Sequence, residues 1–281
     1  MTRTKCKASE LFFMGVVLSA GICFASELQN TLRPPRNGSV YVVAHRGAHQ
    51  GIPENTLAAY KRAIELGVDF VEIDVRQTKD GHLVSVHNAS VDAYVLDGKK
   101  GKVNELTLEE LKALDIGSRI DPKWKDEKIP TLDEIFSLCK GKVGIYLDLK
   151  EAPVDRVVQL VKKYGMEHDV LWYADVNELK EVQAACASCI VMPDPGPVEN
   201  LSKLIELFHP TVVAAVWEYF TPEMAMECQK QGAVLIVDEG HVSPPQDVEC
   251  WEKLVEGGAG GIQTNYPEEL IRFLRTRNQQ R

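Results

Sequence analysis

Short apolar runs rich in β-branched and aromatic residues recur at 40–44, 70–75, 143–149, 170–173, 189–192, 211–217, 234–237 and 261–264. Their length and flanking turn residues predict eight strands. The segments between them read as helices, for example 55–66, 131–139, 153–164, 176–185, 222–231 and 267–277. Helix punctuation supports this: Thr131 with Glu134 forms a capping box, Pro222 follows Thr221 at a first helical turn, and Gly67, Gly165 and Gly232 stand just past helix ends. Alternating strand and helix favours a parallel sheet, and eight units favour closure into a (β/α)8 TIM barrel. A doubly wound open sheet is the alternative, but no G-x-G-x-x-G turn follows the first strand. One connection is long. After a short strand extension at 83–86 the chain runs to Thr131 through a polar piece at 97–101 and an amphipathic turn at 107–114, an expected excursion over the catalytic rim.

Length changes the picture little: 281 residues, 44% of them hydrophobic, suit one domain of about 250 residues. The N-terminal stretch differs from the rest. Arg3, Lys5 and Lys7 precede the apolar run 11–18 and then Ser19-Ala20-Gly21, the pattern of a secretory signal peptide over 1–25 cleaved after Ala25. An uncleaved anchor is the alternative, although the run is short of the ~20 residues a spanning helix needs. Residues 26–39, including TLRPPRNGS, read as a linker, and the domain is expected over 40–277. Export would place the mature chain in a periplasm or outside the cell, with no stable membrane insertion. The net charge is −9; losing the leader, with Arg3, Lys5, Lys7 and Glu10, leaves 29 Lys+Arg against 40 Asp+Glu, or −11. That balance, with no basic run, excludes a nucleic-acid partner and leaves a small anionic ligand open. Five cysteines remain in the mature chain, an odd number, and their pairing cannot be read. Cys186 and Cys189 form a CxxC that could be a redox pair, half a zinc site or two small side chains at a helix end; no second CxxC or nearby His pair completes a zinc site.

In a barrel, catalytic groups sit where strands run out into loops. The first predicted strand ends in His45-Arg46-Gly47, the second in Glu72-x-Asp74, its extension in His87, and the third in Asp148-x-Lys150. Polar residues at i, i+2 on a strand share one face, here the interior, where unpaired carboxylates are costly. Glu72, Asp74 and Asp148 together call for a hard divalent cation, Ca2+ or Mg2+, one ion held by oxygen ligands. The competing explanation is ion pairing with Arg46, Arg76 or Lys150. His45 and His87 are the candidate proton handlers. Arg46 can fork onto two phosphate oxygens and Lys150 can act as a point charge. His49 and His82 are read as solvent-facing. Glu54 is expected to support a neighbouring site group, and Trp217 either walls the substrate pocket or caps the core.

The segment HRGAHQGIPENTLAAYKRAIELGVDFVEIDVRQTKDGHLVSVHN is similar to the opening motif of the glycerophosphodiester phosphodiesterase family. The likeness continues in LTLEELKALDIGS, IPTLDEI, VGIYLDLK and, more weakly, GGIQTNYPEEL, so it spans nearly the whole body. The resemblance implies that His45 and His87 are catalytic, Arg46 and Lys150 contact phosphate, and Glu72 and Asp74 bind metal. It further implies metal-dependent hydrolysis of small glycerophosphodiesters to sn-glycerol 3-phosphate and an alcohol, without an organic cofactor. Three positions depart from the family's pattern: Asp148 stands where Glu is usual, Asn88 where Asp follows the second histidine, and Asn265 where the ending often has Asp. Asn265 is expected to be less directly tied to chemistry. A phospholipase or lysophospholipase D acting on lipids, and a non-catalytic phosphodiester binder, are the rival readings.

Overall fold

The structure, a computed structural model, describes residues 32–96, 98–240 and 248–279; the expected signal peptide lies outside them. Eight parallel strands form the barrel: β1 (Tyr41–Ala44), β2 (Phe70–Gln77), β4 (Gly144–Glu151), β5 (Val170–Tyr173), β6 (Ile190–Val191), β7 (Val212–Val216), β8 (Val234–Asp238) and β9 (Gly261–Thr264). β3 (Leu83–Ser85) runs antiparallel to β2 as the expected extension. The ladder runs β6-β5-β4-β2-β1-β9-β8-β7, and the remaining seam is bridged where Ala214 N–H donates to Pro193 O at 3.0 Å.

The helices are α1 (Leu57–Leu66), α2 (Leu108–Lys112), α3 (Leu132–Cys139), α4 (Val154–Tyr164), α5 (Val176–Ala185), α6 (Leu201–Phe208), α7 (Pro222–Lys230), α8 (Val248–Glu256) and α9 (Pro267–Gln279). Thr131, with Glu134, and Asp175, with Glu178, cap their helices with both reciprocal hydrogen bonds formed. Helices α6 and α8 carry no side-chain capping signal of this kind in the sequence, and α6 follows the Pro/Gly-rich stretch Pro193–Pro197, which masks its start. None of the described helices is long and apolar enough to cross a membrane.

The core divides into two layers and a satellite. Strand faces turned outward meet the helices in the large cluster containing Val71, Ile73, Ile145, Leu147 and Trp172. The inward faces fill the barrel with Tyr41, Val43, Phe70, Tyr146, Leu171 and Met192. Gly144 pairs with Phe70 across the ladder, and a Cβ there would collide with the Phe70 ring, so the glycine lets that ring close the barrel floor. The register then raises the interior in layers: Phe70 beside Gly144, Glu72 beside Tyr146, Asp74 beside Asp148. Glu72 and the Asp74–Asp148 pair therefore share the interior face, one layer apart.

The linker expected over 26–39 is, over its described part, fastened to the barrel floor. Arg36 and Val42 backbone N–H groups both donate to the Asp69 carboxylate at 2.8 Å, Asn37 Nδ2 donates to Gly67 O at 2.9 Å, and Arg33 pairs with Asp169 at 2.7 Å. Leu32 packs against the interior cluster. Leu32, Arg33, Arg36 and Asn37 thus all contact the barrel. The long excursion after β3 buries a small core of its own, including Val91, Tyr94, Val103, Leu111 and Ile129. Trp124 Nε1 ties it to Gly51 O, in the loop after β1, at 2.8 Å.

Candidate active site

The turn after β1 aims its polar groups inward. Arg46 has a left-handed backbone, φ 55°, a conformation uncommon for a side chain of this size. It directs the Arg46 N–H onto Glu72 Oε2 at 2.7 Å. Gly47, at φ 83°, follows with the α1 backbone so close that a Cβ would lie 2.9 Å from the Ala59 carbonyl carbon. The Arg46 guanidinium pairs with Glu54 at 3.1 Å and lies 3.9 Å from Asp74 Oδ2. Glu54 therefore holds the arginine by an ion pair.

Glu72, Asp74 and Asp148 each present an oxygen within 4.8 Å of the others. Glu72 and Asp74 are 2% and 1% exposed. Burial, then the neighbouring Asp74 and Asp148 charges, hold the Glu72 carboxyl well above its usual range. Burial also pushes Asp148 up to about 6, against the pull of Lys150. Lys150 Nζ donates to Asp148 Oδ2 at 2.6 Å and stands 3.5 Å from Asp74 Oδ1 without a hydrogen bond to it. Ion pairing alone is thus incomplete: two cations serve three carboxylates, one cation is shared with Glu54, and Asp74 Oδ1 has no hydrogen-bond donor. An all-oxygen cluster with an unsatisfied buried oxygen fits a hard divalent cation. Arg76, the other candidate counter-ion, instead donates to the His87 carbonyl at 2.8 and 3.1 Å and pairs with Glu151.

A buried network that the sequence reading missed sits behind the acids. Asn55, left-handed at φ 54°, donates from Nδ2 to Asp74 Oδ2 at 2.7 Å, while its Oδ1 accepts from the Tyr60 hydroxyl at 2.7 Å and Ser85 Oγ at 3.0 Å. The signal was an Asn just before the Thr56 cap, since Asn tolerates the left-handed region.

The histidines have different partners. His45 Nδ1 lies 2.8 Å from Asn265 Oδ1, and Arg46 Nε–H donates to His45 Nε2 at 3.2 Å. Burial lowers the His45 pKa, opposed by Asp238 and reinforced by Arg46. His87 Nδ1 lies 2.9 Å from Asn88 Oδ1. Two sequence expectations need correction here. His49 is part-buried rather than solvent-facing, with Nε2 3.1 Å from the same Asn265 oxygen; His82 is exposed as expected. Asn265, expected to stand further from these groups, holds its amide oxygen 2.8 Å from His45 Nδ1.

A cavity of about 200 Å³ opens over these groups, lined by His45, Arg46, Asp74, His87, Asp148 and Lys150. Tyr146, Tyr173, Asp194, Asp238 and Gln263 also line it. Trp217 is not part of that wall. It begins a 3-10 turn after β7, packs on the helix–strand core and stacks on Phe220 at 6.4 Å. The CxxC is a disulfide between Cys186 and Cys189 at the end of α5; Cys139 and Cys228 are buried thiols.

The family model described as "Glycerophosphoryl diester phosphodiesterase family" matches residues 45–188. A glycerophosphodiester phosphodiesterase of Caldanaerobacter subterraneus subsp. tengcongensis is 33% identical over 249 residues, covering 83% of this chain and 97% of that one. The chain belongs to the glycerophosphoryl diester phosphodiesterase family. A glycerophosphodiester phosphodiesterase of Thermotoga maritima shares the fold at a TM-score of 0.67, 26% identity, 83% coverage of this chain and 97% of that one. So does an Oleispira antarctica phosphodiesterase solved in complex with the product sn-glycerol-3-phosphate, at a TM-score of 0.73, 22% identity and coverage of 83% and 96%. As a glycerophosphodiester phosphodiesterase the chain is a phosphoric diester hydrolase, and its matched segment begins at His45.

Proposed function

We propose that this enzyme hydrolyses small glycerophosphodiesters to sn-glycerol 3-phosphate and an alcohol, with one Ca2+ or Mg2+ ion held by Glu72, Asp74 and Asp148. The observation that carries the reading is the cluster of three convergent carboxylates with Asp74 Oδ1 lacking a donor, beside two histidines and two cationic side chains. A cation bound there would supply Lewis acidity and charge neutralisation to a phosphate oxygen. Arg46 and Lys150 take the remaining phosphate charge.

The histidine roles follow from their partners. A ring nitrogen that accepts a hydrogen bond from Arg46 Nε–H carries a lone pair, so His45 is neutral, with its proton on Nδ1 toward Asn265. His45 is the base. Phosphate binding to Arg46 frees the Nε2 lone pair to take the proton of the nucleophile, a water or the glycerol 2-hydroxyl. The new O–P bond forms as the P–O bond to the alcohol breaks, and His87 gives that oxygen its proton; where the nucleophile is the 2-hydroxyl, water then opens the cyclic phosphate, His87 taking the water's proton and His45 returning one to the 2-oxygen. Arg76 fixes the His87 main chain and Asn88 its ring.

The small polar cavity favours a water-soluble diester over a lipid. On the excursion, Leu96 and Ile120 are the exposed large aliphatic side chains among the described residues, too few for a lipid-binding face. Assays of glycerophosphocholine and a lysolipid, each with and without chelator, test this: turnover of the first alone, lost on chelation, is expected. Preferred cleavage of the lysolipid would overturn the substrate, full activity in chelator the metal, and no turnover of either the enzyme reading. Export after cleavage at Ala25 is part of the same proposal, and a disulfide at Cys186–Cys189 suits an oxidising compartment. N-terminal sequencing should find Ser26; an intact Met1 in a soluble cytoplasmic fraction would refute it.

A further inference from the structure

Asn55 is a hub behind the three carboxylates. Its backbone N–H donates to Arg46 O at 3.0 Å, holding the turn whose own N–H reaches Glu72 Oε2. Its Nδ2 donates to Asp74 Oδ2 at 2.7 Å. That oxygen is committed, whereas Asp74 Oδ1 has Lys150 Nζ at 3.5 Å and no hydrogen bond.

Two hydroxyls converge on the other end of the same amide. The Tyr60 hydroxyl, from α1, lies 2.7 Å from Asn55 Oδ1, Ser85 Oγ, from β3, lies 3.0 Å from it, and the two hydroxyl oxygens are 2.9 Å apart. Each hydroxyl has one proton to give, so the amide oxygen accepts from Tyr60, from Ser85 or from both. Burial holds the Tyr60 pKa well above its ordinary value, which keeps that proton in place. Tyr60 and Ser85 are 0% exposed and Asn55 is 2% exposed. Phe and Ala would fill such positions with no polar atom to satisfy, so packing does not explain the two hydroxyls. Among the described residues, the side-chain hydrogen bonds of this triangle lead out to one group, Asp74 Oδ2.

We infer that Tyr60 and Ser85 are positioning residues for the cation site: together they clamp the Asn55 amide so that its N–H stays on Asp74 Oδ2 and Asp74 Oδ1 stays free for the ion. This rests on the cation site proposed above. The carboxylate asks for the N–H end of the amide and the hydroxyls ask for its oxygen, so both ends demand one orientation. With both hydroxyls gone, Asn55 Oδ1 becomes a buried acceptor without a donor, and the amide gains by turning away from Asp74 to find one. The clamp also spans the site. Ser85 stands two residues before His87, and between them Val86 N–H donates to Asp74 O at 2.9 Å.

The experiment titrates Ca2+ and Mg2+ calorimetrically into chelator-stripped, desalted wild type, Tyr60→Phe, Ser85→Ala and the double variant, and measures each urea midpoint in chelator. Either single variant leaves one donor on Asn55 and should weaken cation binding about threefold, the size of one neutral hydrogen bond. The double variant should lose more than the product of the two, in the range of roughly 10- to 100-fold found for groups that support a metal ligand from behind. A lower midpoint in chelator with an unchanged dissociation constant would make the triangle merely structural and overturn the inference. Where the double variant does not fold, Tyr60→Phe decides, because it keeps the ring: unchanged cation affinity overturns the inference. A wild type that binds neither ion refutes the cation site and this inference with it, whereas a wild type that binds and a double variant that binds equally well refute this inference alone.

Discussion

The two halves of the barrel divide the work differently. Strands β1, β2 and β4 carry His45, Arg46, Glu72, Asp74, Asp148 and Lys150, and β2 and β4 are the longest strands, eight residues each. Strands β5 to β9 are two to five residues long, and their interior is mainly aliphatic, from Leu171, Ile190, Met192, Val212 and Ile236, with Ala214 and Tyr173 in the cavity wall. Yet this plainer half supplies Asn265, Asp194, Asp238 and Gln263, which hold or face the reacting groups. Chemistry concentrated on one side is oriented from the other. If that division holds, losses in the first half should remove the reaction, and losses in the second should retune it.

The largest effect is expected from the acids. Chelation, Glu72→Ala or Asp74→Ala should reduce turnover to background and remove the calorimetric signal for Ca2+ or Mg2+ binding. Full activity in the presence of chelator would remove the contrast between the halves. Next come His45→Ala and His87→Ala, each expected to slow turnover by roughly 10²–10⁴-fold, the range of a positioned proton-transfer group, with cation binding retained. A diester with a p-nitrophenol leaving group needs little protonation, so His87→Ala should regain much of its rate on it and His45→Ala should not. Equal failure of both would end the division into base and acid.

A smaller, more diagnostic effect belongs to the second half. Asn265→Asp places a carboxylate on His45 Nδ1 and favours the imidazolium. In the parent enzyme burial holds the His45 pKa below the ordinary value of about 6.5, so the base form is lost only as pH falls beneath that region. The acid limb of kcat/KM should therefore move to higher pH in Asn265→Asp. A limb that stays in place would show that Asn265 does not govern this histidine.

The fold and the first half of the site were legible because their signals are local. Strand ends, capping boxes and i, i+2 pairs of charges each occupy a few adjacent residues, and Glu72-x-Asp74 needs no partner to announce its face. The second half depends on contacts across the barrel. Asn265 acquires its role only because the β1–β9 register sets Ala44 beside Thr264, bringing His45 next to it. Asn55 matters through a bond to a strand 19 residues away, and His49 looked exposed because nothing in its neighbourhood along the chain predicts the reach to Asn265. The segment 32–39 read as a tether from its Pro and Gly content, whereas the Asp69 carboxylate that holds Arg36 N–H comes from the residue just before β2.

The smallest expected effect marks the boundary of the site. Trp217, at the end of β7, stood as a substrate wall or a core cap, and in the structure it stacks on Phe220 and packs against the helix–strand core, apart from the cavity lining. Trp217→Ala should then cost stability rather than catalysis. Complete loss of a fully buried large aromatic costs about 3–5 kcal/mol, and this ring is only partly buried, so a fall of about 1–2 kcal/mol is expected, visible as a lower midpoint in urea unfolding. The value of kcat/KM for glycerophosphocholine, measured well below the unfolding midpoint, should stay within about twofold. A KM raised tenfold with an unchanged midpoint would move Trp217 into the substrate wall and extend the binding surface beyond the cavity bounded by Tyr146, Tyr173 and Asp194.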